Sequence, residues 1–204
     1  MDSAPVTFRL RYGRWLSAVT IAVALSGIGG LVAAGDVLAV ARYVWPLLLL
    51  AVVAWALFWQ PELRIEAQGL VVRNVFRTIE LPWPAIERVD TKYALTLYTS
   101  IGAFSVWAAP APGRHTSSTA TLGSVGYLPR RMLGVGGSIR PGDLPSSESG
   151  AAAYIIRQRY DELLEAGLLT GGIEPGTARI RLHTSLVTAM AMLAVLSVIG
   201  IALP

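Results

Sequence analysis

Three long runs without a charged side chain constrain this chain more than any other feature of its sequence. Residues 15–35 (WLSAVTIAVALSGIGGLVAAG) lie between Arg14 and Asp36, residues 43–60 (YVWPLLLLAVVAWALFWQ) stop at Pro61, and residues 183–204 carry no charge from Thr184 onward. A helix needs about 20 apolar residues to cross a ~30 Å hydrocarbon core, so each run predicts a transmembrane helix. A cleaved signal peptide competes for the first run, but its apolar stretch exceeds the usual ~7–15 residues and a second run follows at once. Only 15% of the residues are charged, against about 25% in an average soluble domain, as membrane spans require. The runs leave room for one small domain and not two.

Arginine placement predicts how the spans are oriented. Arg9, Arg11 and Arg14 precede the first run, Arg64, Arg73 and Arg77 follow the second, and Arg179 and Arg181 precede the third. The connection from Asp36 to Arg42, read as a short turn between two antiparallel helices, has Arg42 alone. Basic residues stay on the cytoplasmic side. The expectation is therefore a multi-pass plasma-membrane protein with residues 1–14 and the central domain cytoplasmic and the C-terminus outside. Pro46 is expected in the first turn of the second span, where its missing N–H costs little. Tyr43, Trp45, Trp55 and Trp59 sit toward that span's ends, where aromatic residues anchor at the membrane interface.

Residues 61–169 read differently. Leu63, Ile65 and Ala67 alternate with Arg64 and Glu66, and Gln68-Gly69 makes a turn. Residues 70–73, 78–81, 86–92, 95–99 and 103–108 follow as short strands, with Pro82-Trp83-Pro84 as a break and Ile101-Gly102 as a hairpin turn. The succession predicts an antiparallel meander curling into a small barrel or half-barrel, so the chain is an α+β membrane protein. Residues 148–166 predict a helix, with Ser147 as its N-cap, Gly167 at its end and Ala153, Ile156, Tyr160 and Leu163 as one apolar stripe. Arg157, Arg159, Asp161 and Glu162 are expected on its wet faces.

The run Gly69-Leu70-Val71-Val72-Arg73-Asn74, with Arg77, Leu81-Pro82-Trp83, Ile86 and Val89, resembles the core motif of bacterial PH-like domains. It is similar to the actinobacterial type named after a low-molecular-weight mycobacterial protein antigen, whose members place two spans directly before the domain. The resemblance covers about residues 15–109 and the later helix; the third span and the insertion depart from it. It implies a PH-like split barrel closed by a C-terminal helix, in which Gly69, Arg73, Asn74, Arg77, Pro82 and Trp83 are fold residues. Gly69 is expected to adopt positive φ in its turn, Asn74 to end a strand, and Trp83 to plug the barrel.

Residues 110–147, rich in Gly, Pro, Ser and Thr, read as a flexible insertion. Gly134-Val135-Gly136-Gly137-Ser138 lacks the Lys-Ser/Thr of a phosphate-binding loop. Arg130, Arg131 and Arg140 are either solvated loop charges or contacts to an anionic leaflet.

No reaction emerges from these residues. The chain has no cysteine and two histidines, His115 and His183, without a helical partner at metal-binding spacing. Carboxylates and serines are unclustered, and no span carries an ionisable residue of the kind that marks a transport path. The reading is not an enzyme, with no catalytic residue, cofactor or metal and with neither nucleic acid nor a small-molecule substrate as partner. A net charge of +4 is explained by membrane orientation. A PH-like sheet offers an exposed edge or a groove beside the closing helix to a peptide. Beside the bilayer, the expected partner is thus a protein, held by an interaction or scaffolding module. Specific phosphoinositide binding is disfavoured, because the hairpin at Ala67-Gln68-Gly69 is flanked by Glu66 instead of a basic cluster. Two alternatives remain: an anionic-lipid-binding module, and a structural subunit of a larger membrane complex, for which Gly29 and Ala33 supply small-xxx-small spacing.

Overall fold

The computed structural model describes residues 5–92, 94–110, 147–169 and 178–202. They divide into two compact units. One comprises the N-terminal residues to Arg9, Glu62–Arg73 and Ile79–Ile180; the other comprises Leu10–Pro61, Asn74–Thr78 and Arg181–Pro204.

The second unit holds three helices long and apolar enough to cross a membrane. They are α1 (Arg11–Ala33), α2 (Val37–Ala54), which a π turn extends to Trp59, and a C-terminal helix over Thr184–Ala202. Pro61 has no N–H with which to continue the second helix, and the Gln60 N–H reaches back to the Trp55 carbonyl (3.1 Å). The Asp36–Arg42 turn expected from sequence is mostly helix. The Asp36 carboxylate accepts the Ala39 N–H (2.9 Å) and caps α2 shortly after α1 ends.

Pro46 consequently lies inside α2 and not in its first turn. A proline there leaves the carbonyl four residues back, Arg42, without its intrahelical donor. Gly200 of the C-terminal helix packs at that place: a Cβ on it would stand 2.9 Å from the Ala41 oxygen and 3.0 Å from the Arg42 oxygen. The missing side chain lets two backbones meet. Gly13 and Gly27 are likewise close to Phe58 and Leu47, whereas a Cβ on Gly29 or Gly30 would have no neighbour within 4 Å. Gly29 and Gly30 therefore make no close helix contact among the described residues.

Two sheets hold most of their residues in the first unit, with the start of the strand Arg77–Pro82 and the end of the strand Arg179–Leu182 assigned to the second. One has the order β1 (Val6–Phe8), β2 (Glu62–Ile65), β3 (Gly69–Arg73), β4 (Arg77–Pro82), β8 (Arg179–Leu182). The other has the order β5 (Arg88–Asp90), β6 (Ala94–Thr99), β7 (Gly102–Pro110). Strand β1 goes beyond the strands expected from sequence; it pairs antiparallel with β2, placing Val6 opposite Ile65 and Phe8 opposite Leu63. Strand β8 occupies what the sequence presents only as a basic approach to the last span. The β6–β7 turn falls at Ser100-Ile101, and Gly102 opens β7 at φ +135°, a conformation that favours glycine.

Leu63, Ile65, Leu70, Val72, Leu95 and Leu97 are fully buried, and the helix α3 (Glu148–Glu165) contributes Ala152, Ala153 and Ile156 to the same core. Ser147 caps α3 by accepting the Gly150 N–H (3.0 Å), and Gly167 follows its end at φ +68°. The C-terminal helix is α4 below. Gly69 corrects an expectation: it is not a positive-φ residue. It is glycine because a Cβ would collide with the Leu81 carbonyl oxygen and lie 2.7 Å from Pro82 Cα.

Candidate functional site

Strand β5 is the outer strand of its sheet. One side pairs with β6, placing Val89 opposite Leu97. The other borders a groove of about 240 Å³ lined by Ile86, Glu87, Arg88, Val89, Arg157, Tyr160 and Asp161, so α3 supplies the far wall. Arg157 crosses the groove and donates to the Val89 carbonyl (3.1 Å). A side chain thus occupies that carbonyl, which is what limits an edge strand's appetite for another strand. Arg88 stacks on the Tyr98 ring with its guanidinium carbon 4.0 Å from the centroid, fixing the groove's near rim. Elsewhere on α3, Arg159 donates to the Ile65 carbonyl (3.3 Å). Arg157 and Arg159, expected to be solubilising charges, instead tie α3 to both sheets.

A wider depression of about 500 Å³ lies over the β2–β3 turn and β4, lined by Glu66, Gln68, Gly69, Leu70, Val71, Glu80, Leu81, Pro82 and Arg179. Trp83, a buried neighbour of this lining, ties the turn in place: its indole N–H donates to the Glu66 and Ala67 carbonyls (3.2 and 3.0 Å). Two carboxylates against one guanidinium disfavour a phosphate there, extending to Glu80 what Glu66 implied from sequence.

Charge is also concentrated around Glu62. Its buried carboxylate accepts from Arg64 Nε (2.6 Å) and Arg9 (2.8 Å). Burial pushes this carboxyl up, but the hydrogen bonds and charges of Arg64 and Arg9 outweigh it and hold the group below the usual carboxylate value. Each member is accounted for structurally: Glu62 and Arg64 lie on β2, and Arg9 follows β1.

In the second unit, His183 precedes α4 and joins separate pieces of chain. Its Nδ1 lies 3.0 Å from the Val75 carbonyl and 2.8 Å from the Gln60 amide, and its Nε2 lies 2.9 Å from Thr78 Oγ1. The His183 backbone N–H adds a bond to the Phe76 carbonyl (2.9 Å). No local pattern marks this junction, whose members are far apart along the chain.

Among the residues singled out from sequence, Gly69 and Pro82 line the wider depression, and Trp83 donates to the carbonyl of Glu66, another residue of that lining. Arg73 is exposed at the end of β3, while buried Asn74 closes the following turn by donating its N–H to the Arg77 carbonyl (2.9 Å). Arg130, Arg131 and Arg140, with the glycine run between them, lie outside the described residues. Among the described residues no group of three His, Asp or Glu side chains is placed to hold a metal ion.

Residues 60–131 match the family model described as a bacterial PH domain. No curated protein and no solved structure matches the chain. The strand-rich stretch is therefore similar to a class of domains that are generally non-catalytic, and the matched range ends before α3 and outside α1 and α4.

Proposed function

We propose that this chain is a non-enzymatic, membrane-anchored PH-like module of the actinobacterial antigen type, holding a segment of another protein at the cytoplasmic face of the plasma membrane. The observation that carries the reading is the groove between β5 and α3. It combines an outer strand, an aromatic wall at Tyr160 and charges of both signs at Glu87, Arg88, Arg157 and Asp161. An extended peptide adding to β5 takes over the carbonyl now held by Arg157 and reads the alternating side chains of the rim. Three apolar helices support anchoring, and the arginines flanking them support a cytoplasmic domain with the C-terminus outside.

The test uses full-length protein in native membranes. Glu87 and Asp161, both exposed on the rim, are changed to Arg together. Wild type is expected to retain a defined protein through gentle extraction, and the double variant to lose it while melting at the same temperature. Equal retention by both places the partner elsewhere.

A second reading, a structural subunit of a larger assembly, is favoured by one observation: Gly29 and Gly30 have open space beside them in the described bundle. Another helix can approach closely there.

A further inference from the structure

The turn Asn74–Thr78 belongs to the same compact unit as the three apolar helices, although it links two strands. Hydrogen-bonding contacts hold it there. His183 meets the Val75 carbonyl, the Phe76 carbonyl and the Thr78 hydroxyl at 2.9–3.0 Å, and Gln60 joins the same imidazole at 2.8 Å. His183 directly precedes α4, and Gln60 directly follows the π turn that ends the second helix. The backbone of Phe76 is thereby pinned at the level where two apolar helices meet their polar ends.

The side chains at this level are those of a membrane interface. Phe76 is 49% exposed and Leu182 66% exposed. Trp59, with Arg14 stacked 4.9 Å from its ring centroid, lies at the same end, as does exposed Trp15. Arg77 and Arg181 add positive charge. Among the described residues of this unit the only side-chain carboxylate is Asp36, at the far end of the α1–α2 hairpin. Apolar side chains left half exposed in water have no compensating contact; in the headgroup layer they do, and the one-signed charge matches anionic lipid.

We propose that the Asn74–Thr78 turn is an interfacial anchor, seating Phe76 and Leu182 in the boundary between headgroups and acyl chains, with Arg77 and Arg181 meeting anionic lipid headgroups. The proposal rests on the reading that the three helices span a bilayer. It goes beyond that reading by assigning the lipid-contacting surface outside the helices. Lipid contact at this turn is then independent of any partner in the groove.

The chain contains no cysteine, so single cysteines report position cleanly. Nitroxide label is attached at Phe76→Cys, Leu182→Cys, Val195→Cys in α4 and Gln158→Cys as aqueous reference. Full-length protein is reconstituted in phosphatidylcholine vesicles with and without phosphatidylglycerol. Labels at 76 and 182 are expected to collide with oxygen more than with a water-soluble nickel complex, at shallower depth than 195. That preference is expected to strengthen severalfold with phosphatidylglycerol, each arginine being worth roughly a fivefold factor at low salt. Leu182→Cys keeps Phe76, so a defect of the Phe76 variant does not obscure the result. Water-exposed labels at 76 and 182, with 195 deep in lipid, overturn the anchor alone. Labels shielded from both reagents mean that protein covers the turn, and overturn it equally. Identical depth in both vesicles overturns the anionic preference. A water-exposed label at 195 overturns the spanning reading itself.

Discussion

Replacing Trp83 with Ala tests how the first unit is held together. Trp83 is 3% exposed and sits in the core cluster with Leu81 and Ile86. A buried indole removes ~200 Å² from water, worth ~5 kcal/mol as an upper figure. Measured truncations of buried aromatics to Ala cost about 3–5 kcal/mol. The same change deprives the Glu66 and Ala67 carbonyls of their donor, but Ala67 is exposed and water replaces much of that bond. We therefore expect a loss of ~4 kcal/mol for Trp83→Ala and ~1 kcal/mol for Trp83→Phe, which keeps much of the apolar bulk and removes the N–H. Hydrogen exchange of β3 and β6 amides in detergent reads the opening of this unit separately from the helices. If Trp83→Ala shifts that opening by less than ~1 kcal/mol, Trp83 is not a core residue.

Single contacts elsewhere set further expectations. Glu62 is held below its ordinary pKa of 4.5 in the folded chain, so the ion pairs with Arg9 and Arg64 stabilise above that value and are lost as pH falls through the lower folded value. The stability difference between wild type and Glu62→Gln should thus be full at pH 7 and shrink below about pH 4.5, as read by the same exchange experiment. Gly200→Val forces side-chain atoms onto the Ala41 and Arg42 carbonyls. It should separate α2 from α4 at a cost of roughly 1–3 kcal/mol, seen as a lower melting temperature in detergent, whereas Gly29→Val should leave that temperature unchanged. For sidedness, a cysteine at Ala34 is expected to react with an impermeant maleimide on intact cells and one at Gln68 only after lysis; the reverse pattern refutes the cytoplasmic placement.

The apolar helices are legible in the sequence because each is a long, nearly charge-free apolar run, a signal no short strand imitates. Residues 61–109 are legible as strands because Leu63, Ile65, Leu70, Val72, Leu95 and Leu97 alternate with outward positions. Helix α3 is legible from its cap at Ser147 and its stripe through Ile156. What escapes are features that pattern does not encode. Strand β1 is three residues long, too short for alternation to register, and β8 has all four residues exposed, so no apolar face marks it. Asp36 reads equally as the first residue of a turn or the cap of a longer helix, and the second outcome moves Pro46 from a helix start to a helix interior. Gly69 is needed for a reason other than the expected positive φ, since a close backbone neighbour from β4 is invisible along the chain. The groove is foreshadowed only as a place beside the closing helix. Its polar rim depends on Arg157 reaching Val89 across sixty-eight positions, and the His183 junction likewise depends on tertiary placement.

Whether the groove between β5 and α3 receives a protein segment is decided by photo-crosslinking in native membranes. A benzophenone amino acid is placed at Tyr160 in the groove and, for comparison, at Ser105 on β7, which is outside the groove lining. A discrete crosslinked protein is expected at Tyr160, absent at Ser105 and lost when Glu87 and Asp161 are both changed to Arg. A crosslink of equal strength at Ser105, or one at Tyr160 that survives the double change, shows that the groove does not hold the partner.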